Sequence, residues 1–413
     1  MINKVKEITC DNRIKVILIC ILIGFSLVSV VQGARNAVEL SQDFQYDAAL
    51  ALMEGYDPYD ISLSGGDASQ ITSLNDYYAY YDSIDAPQKM EANQFPSLLM
   101  ELFPYCKLPF MGARVTWMIS NLLFTACIIL LFRRTFYEQS DLFSFLLLML
   151  LMLSGTPLRN QIGVGQHTLF AFCTFMVAVY IDRKWDKKSK GTGILITLAL
   201  FLCYFKYTLT VPLTIYMFYR KRYKEVVCSV ALHVLLTVAA AVRLGTDIPS
   251  MLIKPLKVSS ALSAEGSIDI SALLGGSPAA YVIAAVVCVI LLAAALRTNE
   301  DCEKLLFANL ILWSLVLTYH RTYDFFVIVG AAPALFETCR NEDYYCGRRA
   351  EQVLSIAKIM YGITIVSVFF VLRVFHESRA SIIAVGAIYY VTLLLFSYLL
   401  FERVKGQKMK QIM

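Results

Sequence analysis

KGTGILITLALFLCYFKYTLTVPLTIYMFYR, from Lys190 to Arg220, decides how the whole chain is read. Only 29 residues separate its two basic ends. A helix needs about 20 apolar residues to cross roughly 30 Å of hydrocarbon, so two full crossings and a turn do not fit. Both flanks are strongly basic, with Arg183, Lys184, Lys187 and Lys188 before and Lys221, Arg222 and Lys224 after. Basic flanks belong on the cytoplasmic side. The stretch therefore reads as two short helices, about 192–205 and 207–219, that enter from one side and stop short of the other, with Lys206 at their tip. Such helices are tolerated at membrane depth only where protein or a water-filled cavity satisfies their ends. An aqueous cavity opening outward is the expectation.

The remaining composition agrees. At 58% hydrophobic and 17% charged, with mean hydropathy +0.59, the 413 residues are too apolar for a soluble domain and predict an all-α polytopic membrane protein. The net charge of +5 does not indicate a nucleic-acid partner, because 24 of the 37 Lys and Arg flank apolar runs, at 1–15, 133–134, 183–190, 220–224, 297–304, 340–349 and 403–410. Placing those segments inside predicts a multi-pass cell-membrane protein with both termini cytoplasmic and about twelve transmembrane helices. The expected spans are 16–34, 112–132, 142–158, 166–182, 192–205, 207–219, 225–243, 279–296, 305–319, 322–338, 353–372 and 380–401. The run Val16–Val31 imitates a signal peptide, but Gln32, at the third position before Ala34, makes a poor cleavage site, so it reads as an uncleaved first span. Of eleven cysteines only Cys106 falls clearly in an external loop, and the others read as reduced packing residues. With no internal repeat, residues 1–413 read as one membrane unit with two external loops, about 35–111 and 244–278.

Polar residues gather at the outer turns of three hairpins. One turn holds Arg159-Asn160-Gln161 and Gly165-Gln166-His167, the second Lys206, the third His320-Arg321-Thr322-Tyr323-Asp324. Cations at membrane depth are costly and are usually paired with something anionic. Each has a plain alternative: Arg159 as a turn residue, Lys206 as a snorkelling anchor, His167 as packing, and His320-Arg321 paired with Asp324 to seal a turn. Together they present positive charge outward, against the positive-inside bias, next to apolar walls. A phosphate on a lipid tail suits such a site.

Asp43 lies on the same side, in Ser41-Gln42-Asp43-Phe44-Gln45-Tyr46-Asp47, just beyond the first span. Val38, Phe44, Ala48 and Leu52 recur at helical spacing up to Gly55, predicting an amphipathic helix lying along the membrane surface, ended by Gly55 and Pro58. Asp43 is then either the helix cap or a base at the water–lipid boundary.

These residues resemble a family. Asp43-Phe44 with Tyr46, followed by Gly55 and Pro58-Tyr59, is similar to the first-loop signature of glycosyltransferase family 87, membrane enzymes of the GT-C fold. Gln94-Phe95-Pro96-Ser97-Leu98-Leu99 resembles its Tyr-Pro-Pro-then-Leu segment with Phe95 for a proline. Gly165-Gln166-His167-Thr168 resembles its Gly-Gln segment, Phe205-Lys206-Tyr207 its Lys-Pro segment with Tyr207 for the proline, and His320 to Asp324 its late polar motif. The resemblance spans roughly 40–340. It implies inverting transfer of a hexose or pentose, mannose among them, from a polyprenyl-phosphate sugar to the hydroxyl of a glycan or glycolipid acceptor on the outer face. Asp43 would be the general base. Lys206, Arg321, His320 and Arg159 would hold the donor phosphate, and Tyr46, Tyr59, Gln166 and Asp324 would contact substrate. No cofactor is implied beyond the lipid-phosphate sugar itself. No metal is indicated either, since Asp57-Pro58-Tyr59-Asp60 and Asp82-Ser83-Ile84-Asp85 lack Asp-x-Asp spacing. A transporter or lipid flippase is the rival from another class, but the first external loop has no counterpart in the second half. A glycan polymerase or ligase would share the topology without needing Asp43, and a purely structural protein leaves the outward cations unexplained.

Overall fold

The computed structural model describes residues 12–40, 44–138, 140–261, 267–274, 277, 279–336, 348–371 and 378–412. Among them the regular structure is entirely helical, and a helical segment lies over each stretch expected to cross. Six are long and apolar enough to span a membrane by length and composition: Arg13–Glu39, Phe110–Thr135, Lys190–Tyr219, Tyr223–Leu244, Glu351–Val371 and Arg379–Lys405. The pair Leu142–Ser154 and Thr156–Val164, bent by 51°, makes a seventh if counted as one. The bend falls at Gly155, where the chain is extended before Pro157 restarts a helix that leaves the first helix's direction.

The helices that position the site are α1 (Asn12–Glu39), α2 (Tyr46–Glu54), α3 (Pro58–Leu63), α4 (Asn75–Ser83), α5 (Pro96–Glu101), α6 (Phe110–Thr135), α7 (Thr156–Val164), α8 (Thr168–Lys184), α9 (Lys190–Cys203), α10 (Tyr207–Tyr219), α11 (Tyr223–Leu244), α12 (Ile248–Ala261), α13 (Ala279–Ala295) and α14 (Glu303–Leu317). A tight turn of 3₁₀ geometry, Tyr204–Lys206, joins α9 to α10, and a longer one, Thr322–Ala331, follows α14.

The run Lys190–Tyr219 would be about 45 Å long if straight. Its ends instead meet the same groups. Arg220 and Arg222 both bond Asp182, Arg222 Nη1 reaches Lys187 O at 3.4 Å, and a side chain at Gly193 would touch Glu225 Oε1. The run therefore folds back at 204–206 into two short helices. The turn is tied by Thr210, whose hydroxyl donates to Cys203 O (2.9 Å) and Lys206 O (3.1 Å). Pro212 cannot donate to Thr208 O, and Thr318 Oγ1 takes that carbonyl instead, joining this hairpin to the next.

The two ends of the bundle differ chemically. At one, Asp182, fully buried, accepts from Arg220 (2.5 Å) and Arg222 (2.6 Å), and Glu303 from Arg183 (2.5 Å), Arg220 (3.0 Å) and Tyr216 (2.6 Å), while Lys184 pairs with Glu138. Charges this buried persist only when each is paired and hydrogen-bonded. At the other end lie the turns before α8, between α9 and α10, and after α14.

Two expectations fail locally. The predicted surface helix up to Gly55 does not run through Phe44–Gln45: Gln45 adopts φ 59, and α2 begins only at Tyr46. Nor does α2 lie exposed, since Tyr46 through Leu52 are all buried. The reason is Tyr77, Tyr81 and Phe110, which close over Tyr46 with ring centroids at 6.1 and 5.5 Å for Tyr77 and Phe110 and give the first loop its own aromatic core. The stretch 322–338, expected as a membrane helix, is a 3₁₀ turn over Thr322–Ala331 followed by a short helix at Pro333–Phe336.

Candidate functional site

Asp324 is the centre of the polar end. It is fully buried, and its two oxygens serve three groups. Oδ2 accepts from His320 Nδ1 at 2.9 Å and faces Lys206 Nζ at 3.5 Å, while Oδ1 accepts from the Thr168 hydroxyl. Lys206 Nζ also faces Gln166 Oε1 at 3.5 Å and lies 6.0 Å from the centre of the Tyr323 ring. Three turns far apart in sequence thus meet at one carboxylate. Both contacts of the ammonium sit at the outer limit of a hydrogen bond, so its three donors remain able to turn to an incoming oxyanion.

The surroundings fix this geometry. Gly165, at φ 70, ends α7 in a left-handed turn that glycine adopts without strain, and its carbonyl accepts from Trp117 Nε1 at 2.6 Å. Gln161 Nε2 donates to Gln166 O at 2.5 Å, holding Gln166 toward Lys206. His167 is buried, with its ring 4.2 Å from that of Phe205 and 5.8 Å from that of Trp117. Phe44 also stacks on Trp117, at 5.6 Å and 16°.

Asp43 lies outside the described residues; its neighbour Phe44 is anchored at this end of the bundle. Arg321 is exposed beside the cluster, its Nε on Tyr319 Oη at 2.5 Å. The Arg159 guanidinium bonds Asn160 Oδ1 and Gln32 Oε1 on α1. Asp324, expected to contact substrate, is fully buried, and its oxygens are turned to Lys206, His320 and Thr168. Tyr59 is completely buried and donates to Gln94 O at 2.7 Å. Tyr46, also buried, donates to Leu108 O at 3.2 Å, and burial, followed by nearby Cys106, Asp76 and Glu54, pushes its hydroxyl up to about 12. Both tyrosines build the loop and offer no open face to a sugar. Among the described residues, no three His, Cys, Asp or Glu side chains come together as a metal site.

From the hairpin tip, where Tyr204 and Tyr207 flank Lys206 in the chain, an apolar groove of about 400 Å³ runs between α10, α11 and α13, and a second lobe of about 180 Å³ continues it under α5 and α12. Tyr204, Tyr207, Val230 and His233 line both lobes. Exposed Val211, Val230 and Val289 leave the groove open sideways. His233 bridges Ser97 Oγ (3.0 Å) and Phe201 O (2.9 Å), joining α11 to α5 and α9. Lys254 of α12 is clasped by Asp57 Oδ2 (2.8 Å) and Asp60 Oδ1 (2.7 Å), tying the second external loop to the first. Sequence reading missed Trp117 and His233, which lie inside apolar helices, and the roles of Thr168, in the Gly165–Thr168 segment, and of Lys254, in the second external loop.

The sequence profile of glycosyltransferase family 87 matches residues 96–319, more than half of the chain. The chain belongs to glycosyltransferase family 87. Membership assigns this membrane-helical protein glycosyltransferase activity. The matched stretch contains Gln166, Thr168 and Lys206; it begins after Asp43 and Tyr59 and ends just before His320. No curated protein and no solved structure matches the chain.

Proposed function

We propose that this glycosyltransferase takes a hexose or pentose from a polyprenyl-phosphate donor and passes it, with inversion, to an acceptor hydroxyl on the outer face of the cell membrane, from a GT-C-type arrangement of about twelve crossings with both termini inside. The observation that carries this is the α9–α10 tip, which holds both Lys206, a cation with loosely held donors, and Tyr204 and Tyr207 of a laterally open apolar groove. A ligand with an anionic head and a hydrocarbon tail matches both at once. Nucleotide sugars are confined to the cytoplasm, so an outward-facing site calls for a sugar already carried across on lipid.

In this reading the acceptor oxygen attacks the anomeric carbon as Asp43 takes its proton. The bond from that carbon to the phosphate oxygen breaks, and the lipid phosphate leaves with the electron pair, its charge met by Lys206 and Arg321. Asp324 positions Lys206 and His320 for this. The anchoring of Phe44 on Trp117, which also contacts His167, supports giving the role of base to Asp43. Asp43→Asn keeps size and capping ability but cannot accept a proton. Transfer should fall by at least about 10²-fold with donor binding retained. Asn caps a helix about as well as Asp, so transfer above about half the normal rate would end the general-base assignment.

A further inference from the structure

Resting on the lipid-phosphate reading above, we infer that Phe95 and Tyr207 form an aromatic wall that reads the first isoprene unit of the lipid, next to its phosphate, and so select for an unsaturated carrier. The two residues are 112 positions apart in sequence, yet their rings meet at 5.1 Å and 55°. Both line the smaller lobe of the groove, and Tyr207 lines the larger lobe as well. Tyr207 directly follows Lys206 at the start of α10, so the wall stands at the same hairpin tip as the cation.

The wall is rigidly set. Phe95 stands in extended backbone immediately before Pro96 opens α5, and Tyr207 is the first residue of α10 after the tight turn.

A flat aromatic surface favours a flat partner. The allylic unit of a polyprenyl phosphate has planar carbons around its double bond and can lie along the two rings. The saturated unit of a dolichyl-type phosphate is tetrahedral there and loses part of that contact. An aromatic contact of this kind changes binding by roughly two- to tenfold beyond the area buried.

The test compares two lipid phosphates of equal length, one unsaturated and one saturated in the unit next to the phosphate, binding to the full-length protein in detergent micelles. The wild type should prefer the unsaturated lipid by roughly two- to tenfold. Phe95→Leu with Tyr207→Leu should bring the ratio to about one while both lipids still bind, since leucine keeps the groove apolar. Phe95→Tyr with Tyr207→Phe should keep the preference. Equal binding of both lipids by the wild type, or an undiminished preference in the leucine variant, overturns the wall and leaves the donor reading intact. Failure of the wild type to bind either lipid, or binding indifferent to Lys206→Gln, overturns the donor reading and the wall with it.

Discussion

Replacing Asp324 with Asn tests whether the polar end is one coupled unit. The substitution preserves shape but removes the charge that faces Lys206 at 3.5 Å and accepts from His320 at 2.9 Å. At an effective dielectric near 20, unit charges about 3.5 Å apart attract by roughly 5 kcal/mol. The Asn amide can turn its NH₂ to Thr168, whose hydroxyl can accept, and keep its oxygen toward His320 and Lys206. Lys206 keeps 13% side-chain exposure and can swing toward water, which recovers about half of the lost attraction. The expected destabilisation is therefore about 2–3 kcal/mol, below the 3–5 kcal/mol of a fully enclosed pair. Reversible unfolding in mixed detergent micelles, followed by circular dichroism, measures it. Lys206→Met should cost less alone than Asp324→Asn, and the double variant should be less unstable than the two losses together by about 2 kcal/mol. If the losses add to within about 0.5 kcal/mol, the two side chains are not coupled, and Asp324 does not position Lys206.

Two further outcomes follow from buried charge elsewhere. Both carboxylate oxygens of Glu101 are buried without a hydrogen-bond partner among the described residues, and burial holds the group's folded pKa well above its usual value. The folded state thus binds a proton that the unfolded state releases: the protein should lose stability as pH rises from the usual Glu value to the folded one, and Glu101→Gln should flatten that slope, as read from melting temperatures between pH 5 and 8. At the basic end, Arg220→Met leaves Asp182 and Glu303 short of a partner and should cost about 3–5 kcal/mol in the same unfolding assay. Lipid-phosphate affinity should be unchanged, because Asp182 lies fourteen residues, roughly 21 Å, along α8 from Thr168.

Charge placement made the α9–α10 hairpin legible: a chain too short for two crossings between two basic ends can only turn back, and Asp182 and Lys187 gather both ends as that requires. Lys206, Gln166, His320 and Asp324 were readable as residues of the hairpin turns for the same reason. Their division of labour was not. Spacing says nothing about which carboxylate oxygen meets which donor, and Thr168 and Asp324 stand 156 residues apart. The first loop misled for a different cause. Tyrosines beside a membrane helix read equally well as interface, sugar-stacking or core residues, and only the closure of Tyr77, Tyr81 and Phe110 over Tyr46 makes them core. The helix expected through Phe44 fails because Gln45 takes a left-handed conformation, and hydrophobic spacing carries no trace of such a turn.

The pairing of Lys206 with Asp324 also bears on what kind of anion this end can hold. A lysine standing alone would offer a full positive charge, but here that charge is already met, and His320 gives its Nδ1 to the same carboxylate. Arg321 adds a second cation beside the cluster, at the exposed rim. Such a site is poorly matched to a diphosphate, whose added negative charge would have to be desolvated with little to offset it. On the donor reading proposed above, a lipid phosphodiester with a single negative charge matches it better, its remaining attachment energy coming from hydrocarbon. A groove of about 400 Å³ beside the same turn can provide that at roughly 25 cal/mol for each Å² of apolar surface covered. Binding would then depend mainly on the tail, leaving the weakly held ammonium free to strengthen its contact as charge develops on the departing phosphate, which is where an interaction accelerates transfer rather than merely tightening the resting complex.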